Sequence, residues 1–350
     1  MKQAGADTGE AHPGPEVFGV TGAGETVHRV RTAAGDLSAS IIDWGAVIQD
    51  LRLQGHDAPL TLGYQTFADY EANVSYFGAV AGRNANRTRD GRYMIDGRRY
   101  EIEPGAPERH GLHGGTQGYA RRPWRLIDHG SDVVVLGLTD RDGTMGFPGN
   151  VDVMCTYRIL PPATLSVEFI ASTDQPTLCN LAQHAYFNLD DGGATPAGGH
   201  RLIIDAGAYL PTDEELVPTG VVMPVDGTPY DFRMARRLHG EDEAKPFGYD
   251  SNFCLSAGRG PLKRAAWVQG AHSGVEMEVW TTEPGLQLYA GEHIGPQGMG
   301  MLGRPYGPFA GFCLEAQVWP DAANRPYFPQ ALLRPGELYR QVTQFRFRAP

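Results

Sequence analysis

Apolar and polar positions alternate along most of this chain with a period of two. Phe312, Leu314, Ala316 and Val318 interleave with Cys313, Glu315 and Gln317, so a strand here sends the first set to one face and the second to the other. From about Val17 the signature recurs: Ser38 to Val47, Ile48 to Leu53, Val133 to Leu138, Val151 to Leu160 and Ala163 to Ala171 each read as sheet segments. Met94-Ile95 and Arg98 to Ile102 flank Asp96-Gly97, a dipeptide suited to a tight hairpin turn. Leu178 to Leu189 reads as one strand with Asn180, His184, Tyr186 and Asn188 on a hydrogen-bonding face. Its other face holds Cys179, Leu181, Ala185, Phe187 and Leu189, interrupted by Gln183. Leu286 to Tyr289 repeats the theme, with Gln287 and Tyr289 on one side. Helical signals are confined to Thr66 to Asn73 and Phe232 to Leu238, neither with a sustained 3.6-residue stripe. Regularly spaced strands, with no internal repeat or linker, predict an all-β sandwich or barrel of unusual size, held as one domain over residues 16–350. Residues 1–15, rich in Gly, Ala, Glu and Pro, are expected to be a flexible segment.

Composition narrows the class of partner. Of the 350 residues 41% are hydrophobic and 20% charged, enough for a sizeable core and too few charges for a disordered chain. The net charge of −11 argues against a nucleic-acid or anionic-membrane partner. No apolar run approaches membrane-spanning length, and Met1 to Pro15 has no apolar h-region, which predicts a cytoplasmic protein. Cys155, Cys179, Cys254 and Cys313 lie far apart in apolar runs without CxxC spacing. They read as buried free thiols rather than a zinc cluster or redox pair.

Against that background a few polar residues stand out. Glu315 sits in an otherwise apolar strand, where a carboxylate must pair or do chemistry, and where burial raises its pKa toward that of a general base. A satisfied surface or edge-strand glutamate is the alternative. His110-Gly111-Leu112-His113-Gly114-Gly115 brings two imidazoles into a glycine-rich turn that lets backbone approach a ligand. The two histidines also have a plausible metal-ligand spacing, without a third ligand nearby in sequence. Gly82 to Arg87 is rich in donors, and Asp250 stands just before an apolar strand, a position that also suits a turn.

Taken in order, Gly82-Arg83-Asn84-Ala85-Asn86-Arg87, Leu112-His113-Gly114-Gly115, His184-Ala185-Tyr186-Phe187-Asn188-Leu189, Asp250-Ser251-Asn252-Phe253, Thr281 to Gln287 and Cys313-Leu314-Glu315-Ala316-Gln317 resemble the motif series of the aldose 1-epimerases, the galactose mutarotase family. Leu332 to Glu337 resembles that family's C-terminal signature. The resemblance implies a large antiparallel β-sandwich, the galactose mutarotase-like supersandwich, with no cofactor and no metal. It makes Glu315 the general base and His184 the general acid, with Asn86, Arg87, His113, Asp250 and Gln287 holding sugar hydroxyls. Tyr186 joins the substrate-binding set from the polar face of its strand. Gln183 and Ala182 depart from the family pattern, which commonly has Asn and Thr or Ser there. The implied activity interconverts the α and β anomers of a free aldohexose such as galactose or glucose. A small aldose would be the only partner of a monomer or homodimer. Acid and base are expected on either side of the sugar, giving a bell-shaped pH profile with its acid limb from the carboxylate and its alkaline limb from the imidazole. A glycoside hydrolase would instead need two flanking carboxylates, for which Asp250 and Glu315 are the available pair.

Overall fold

The longest alternating stretches pair side by side. A computed structural model describes residues 14–72, 75–103, 109–239 and 247–350. In it, strands Arg125–His129, Val133–Asp140, Val151–Leu160, Thr164–Thr173, Tyr339–Arg348, Glu276–Thr281, Lys263–Gln269, Arg201–Ile204 and Arg236–Arg237 lie in that spatial order in one antiparallel sheet. Val151–Leu160 and Tyr339–Arg348 bury every second residue, because only one face of this sheet meets the core. The inward set, including Val153, Tyr157, Val167, Phe169, Val279 and Phe345, enters the main hydrophobic cluster.

A six-stranded sheet packs against it, in the order Tyr186–Phe187, Phe312–Gln317, Gly285–Tyr289, Asp250–Cys254, Ala208–Tyr209 and Met223–Pro224. Its register sets Tyr186, Cys313, Tyr289 and Asp250 in one cross-strand row, and Glu315, Gln287 and Asn252 in the next. Residues directly opposite in a ladder share a face, as do residues two apart along a strand, so both polar rows lie on one side. Phe187, Phe312, Leu314, Leu286, Leu288 and Phe253 occupy the other side and complete the sandwich core. Every residue of Phe312–Gln317 is buried, because this strand is covered on both faces. A third sheet, Glu16–Val20, Thr26–Ala34, Leu37–Ile42 and Val47–Leu53, adds Val27, Ile42 and Val47 to a neighbouring aromatic cluster.

Most expected strands form, including the hairpin Arg92–Ile95 and Arg98–Glu101, whose turn has φ of 49° at Asp96 and 79° at Gly97. Two expectations are corrected. Leu178 to Leu189 is not one strand: Thr177–Leu178 pairs with Leu332–Leu333, Ala182–His184 with Ala79–Ala81, and Tyr186–Phe187 with Phe312–Gln317. Because the chain changes partner twice, its polar residues part company. Asn180 Oδ1 accepts from the Val318 amide at 2.8 Å and Asn188 Nδ2 donates to the Ala310 carbonyl at 2.8 Å, so both serve the backbone. Phe232 to Leu238 is not helical; Arg236–Arg237 is an edge strand beside Arg201–Ile204. The other helical expectation holds over Phe67–Ala72, while Asn73 and residues 1–13 of the N-terminal segment lie outside the described residues. No helix among the described residues is long and apolar enough to cross a membrane.

Candidate active site

The polar side of the six-stranded sheet floors a cavity of about 390 Å³, within the range of small-molecule sites. Asn86, Arg87, His113, His184, Tyr186, Asp250 and Glu315 all line it. Its walls come from loops held in the left-handed region, with φ of 58° at Tyr76, 63° at Asn86 and 49° at His113, a conformation that costs energy for residues with a Cβ. Local hydrogen bonds hold it. The Asn86 amide donates to His113 Nδ1 and the His113 amide to the Asn86 carbonyl, each at 3.2 Å. Asn86 Oδ1 accepts from the Arg87 amide at 2.7 Å. Gly114, at φ 85°, lets this loop lie on the Gly82 backbone; a Cβ there would fall 2.1 Å from the Gly82 carbonyl oxygen.

Glu315 is 2% exposed and His184 4%, which rules out a surface or edge-strand glutamate. Their Oε1 and Nε2 atoms are 3.7 Å apart, and Glu315 Oε2 has no hydrogen-bond partner among the described residues. Burial, reinforced by the Asp250 carboxylate and opposed by Arg87, pushes the Glu315 carboxyl up to about 8. Burial lowers His184 to about 4, against a contact with its own backbone carbonyl. Both shifts favour the uncharged forms, drawing the free pair toward a single proton on the carboxyl beside a neutral imidazole. At 3.7 Å the two groups are neighbours, so the expectation of acid and base on either side of a sugar is corrected: both face one corner of the cavity. The His184 ring stacks near-parallel with Tyr76 and Tyr186, at 5.6 and 5.1 Å between centroids.

Beside this pair, the Asp250 side chain is held from two sides. Arg87 Nη1 lies 3.2 Å from its Oδ2, and Gln287 Nε2 donates to its Oδ1 at 2.6 Å. Gln287 does not line the cavity; it sits in the row with Glu315 and orients Asp250. Of the arginines in the Gly82 to Arg87 segment, only Arg87 reaches the cavity. Arg83 turns into the protein, where it donates to Asp140, Thr177 and the carbonyls of Pro148 and Gly149. The two departures from the family pattern also face away, Gln183 Nε2 donating to the Gly78 carbonyl at 2.8 Å and Ala182 packing with Ala81 and Ala85. Tyr289, Tyr76, Arg121 and His293 line the cavity as well and were not among the expected site residues. Alternation already put Tyr289 on the Gln287 face, whereas Tyr76 lies in a loop where no periodicity marks it.

His113, His184 and Glu315 bring ligand-type atoms within 4.8 Å of one another, a spacing compatible with a metal ion, but the chemistry of the three groups is not. His113 Nδ1 is already an acceptor for the Asn86 amide. Its ring, kept neutral by burial and by repulsion from His184 and Arg87, therefore carries its proton on Nε2, and an N–H offers no lone pair to a cation. His110 is committed elsewhere: Nδ1 accepts from the Asp90 amide at 2.9 Å, and Nε2 faces Glu215 at 3.4 Å. The donor set suits a polyol better than a metal ion.

Comparison with known proteins shows the family and the fold. The family model described as "Aldose 1-epimerase" matches residues 28–346. The chain is 39% identical over 338 residues to the galactose mutarotase of Rattus norvegicus, covering 95% of this chain and 97% of that one. It is 35% identical over 331 residues to the aldose 1-epimerase of Escherichia coli, covering 91% and 94%. Among solved structures, an aldose epimerase homologue from C. elegans superposes with a TM-score of 0.86 at 27% identity, over 92% of this chain and 99% of that one. The fold is accordingly the galactose mutarotase-like antiparallel sandwich, and the chain belongs to the aldose 1-epimerase family.

Proposed function

We propose that this protein is a cofactor-independent aldose 1-epimerase interconverting the α and β anomers of a free aldohexose such as galactose or glucose. The observation that carries the reading is the buried Glu315 carboxyl, with one oxygen unpartnered among the described residues and the other 3.7 Å from His184 Nε2, at the floor of a sugar-sized cavity. The hydroxyl oxygen on C1 and the ring oxygen are bonded to the same carbon. Two groups side by side can therefore reach both at once, which two carboxylates flanking a glycosidic bond from opposite faces would not do.

In this reading the sugar's C1 hydroxyl donates to Glu315 as it binds. A hydrogen bond to the ionised carboxylate favours that form, and the pair's single proton moves to His184. Glu315 then takes the C1 hydroxyl proton while His184 gives its Nε2 proton to the ring oxygen, and the C1–O5 bond breaks. The aldehyde turns about C1–C2 and the ring recloses on its other face, with both transfers reversed. Each well-placed partner contributes about 10²- to 10⁴-fold. Asn86, Arg87, His113 and Asp250 bind the remaining hydroxyls, with Gln287 acting through Asp250, and Tyr186 packs beside the acid.

The reading extends to a single domain over residues 16–350, acting in the cytoplasm as a monomer or homodimer with no partner beyond its sugar. The main core, shared by both large sheets, and the net charge of −11 support it. The test is polarimetry on freshly dissolved α-glucose and α-galactose. Purified protein should speed the approach to anomeric equilibrium far above the buffer blank. Binding without acceleration would mark a carbohydrate-binding protein, and release of reducing sugar from an oligosaccharide would mark a hydrolase.

A further inference from the structure

We propose that Cys313 is a positioning residue for His184: its sulfur accepts the ring's Nδ1–H, so that Nε2 is the atom that gives and takes the proton. The inference rests on the acid–base reading above. Cys313 lies two residues before Glu315 on the same face of the central strand, opposite Tyr186 and Tyr289. Its Sγ is 3.4 Å from His184 Nδ1, while Nε2 of the same ring faces Glu315 Oε1 at 3.7 Å. One strand thus addresses both ring nitrogens. The thiol is fully buried. Burial, helped by the nearby Glu315, holds it protonated, so it serves here as neither nucleophile nor thiolate.

The reaction explains why such a partner is needed. When imidazolium releases its Nε2 proton to the ring oxygen, the neutral ring must keep hydrogen on Nδ1. Only then does Nε2 hold the lone pair that recovers the proton on reclosure. Nδ1 therefore needs an acceptor in both states. A carboxylate there would hold the imidazolium and raise its pKa, and an obligate donor would force the opposite tautomer. Sulfur is neutral and a weak acceptor, so it fixes the tautomer while leaving the Nε2 proton acidic. The other titratable groups facing His184 are Glu315, Tyr186 from its own segment, and His113 and Tyr76 from the loops. The ring also contacts the residue's own backbone carbonyl, which only Nδ1 can reach and which favours hydrogen on the same nitrogen as the sulfur does.

The test reads the tautomer directly. In full-length protein labelled with ¹⁵N-histidine, with the His184 signals assigned by their loss in His184→Gln, the free parent at pH 6–7 should show protonated Nδ1 and unprotonated Nε2. Cys313→Ala should shift His184 toward a tautomer mixture and lower kcat by about 10- to 100-fold, the range for outer partners that fix metal-bound histidines, with KM little changed. Cys313→Ser, which restores an acceptor, should recover Nδ1–H and most of kcat, and should move the acid limb of the pH profile upward. An unprotonated Nδ1 in the parent overturns the proposal. So does a folded Cys313→Ala with the parent's tautomer and kcat within about twofold. If the alanine variant does not fold, the parent and serine spectra decide alone. The tautomer is read without turnover, so failure here is distinct from failure of the acid–base reading, which full activity in His184→Gln would expose.

Discussion

At the scale of single residues, the sheet's register decides who meets whom. Glu315, Cys313, Gln287 and Tyr289 share one face because the strand period is two, and that much is legible in the sequence. The proton's location is not, since it depends on burial by loops distant in the chain. Glu315→Gln should keep the fold and sugar affinity and lower turnover by at least about 10²-fold, measured by polarimetry and calorimetry on one preparation. Its effect on stability has a definite sign. A carboxyl whose folded pKa stands at about 8, above its ordinary 4.5, binds protons more tightly when folded, so folding weakens as pH rises through that window. Glu315→Gln removes the penalty and should melt progressively above the parent between about pH 4.5 and 8; a parent that melts higher at pH 8 sinks the buried-carboxyl assignment. The rate should be bell-shaped, falling when the one-proton pair gains a second proton near His184's value of about 4 or loses its only proton near Glu315's value of about 8. That order in the free site is the reverse of the expected one, in which the carboxylate supplied the acid limb. A flat profile between pH 3.5 and 9 would discard it. Because His113 presents an N–H to the cavity, exhaustive EDTA treatment should leave the rate unchanged; loss of activity restored by zinc would contradict the tautomer assigned to His113.

At the scale of elements, the long strands with one solvent face were the easiest to foresee, because their alternation is unbroken. Leu178 to Leu189 misled because local pattern carries no record of partner exchange: three ladders use it in succession. Phe232 to Leu238 misled for a related reason. The Ile204 amide donates to the Phe232 carbonyl, and the Leu238 amide to the His200 carbonyl, so pairing along a sheet edge overrides a weak helical preference. The Gly82 to Arg87 segment shows how an element can mix roles. Arg83 is fully buried against Asp140, which Arg122 also engages, and it bonds the Pro148 and Gly149 carbonyls. It anchors the segment whose far end presents Asn86 and Arg87. Arg83→Met should destabilise the protein by about 3–5 kcal/mol, the cost of breaking a buried pair by removing one partner, and should weaken sugar binding in whatever remains folded. Melting within a degree or two of the parent would show that the anchor is dispensable.

At the scale of the whole molecule, a chain of net charge −11 handles a substrate without charge. Electrostatic steering acts on charged ligands and is screened by salt, so kcat/KM for glucose or galactose should stay within about twofold from 0.05 to 0.5 M salt. A steep salt dependence would point to a charged sugar as the true substrate. The sandwich also divides its labour in a way that bears on descent. Glu315 stands on a sheet whose reverse side is the core, with His184 on the short Ala182–His184 ladder beside it, and a change beneath them disturbs stability and chemistry together. Tyr76, Asn86 and His113 come from loops and Arg87 from the two-residue strand Arg87–Thr88, all outside the main sandwich cluster. Over generations the reaction is therefore conservative and the choice of sugar is free to wander: a lineage can acquire a new aldose by rewriting the rim while inheriting the chemistry unaltered.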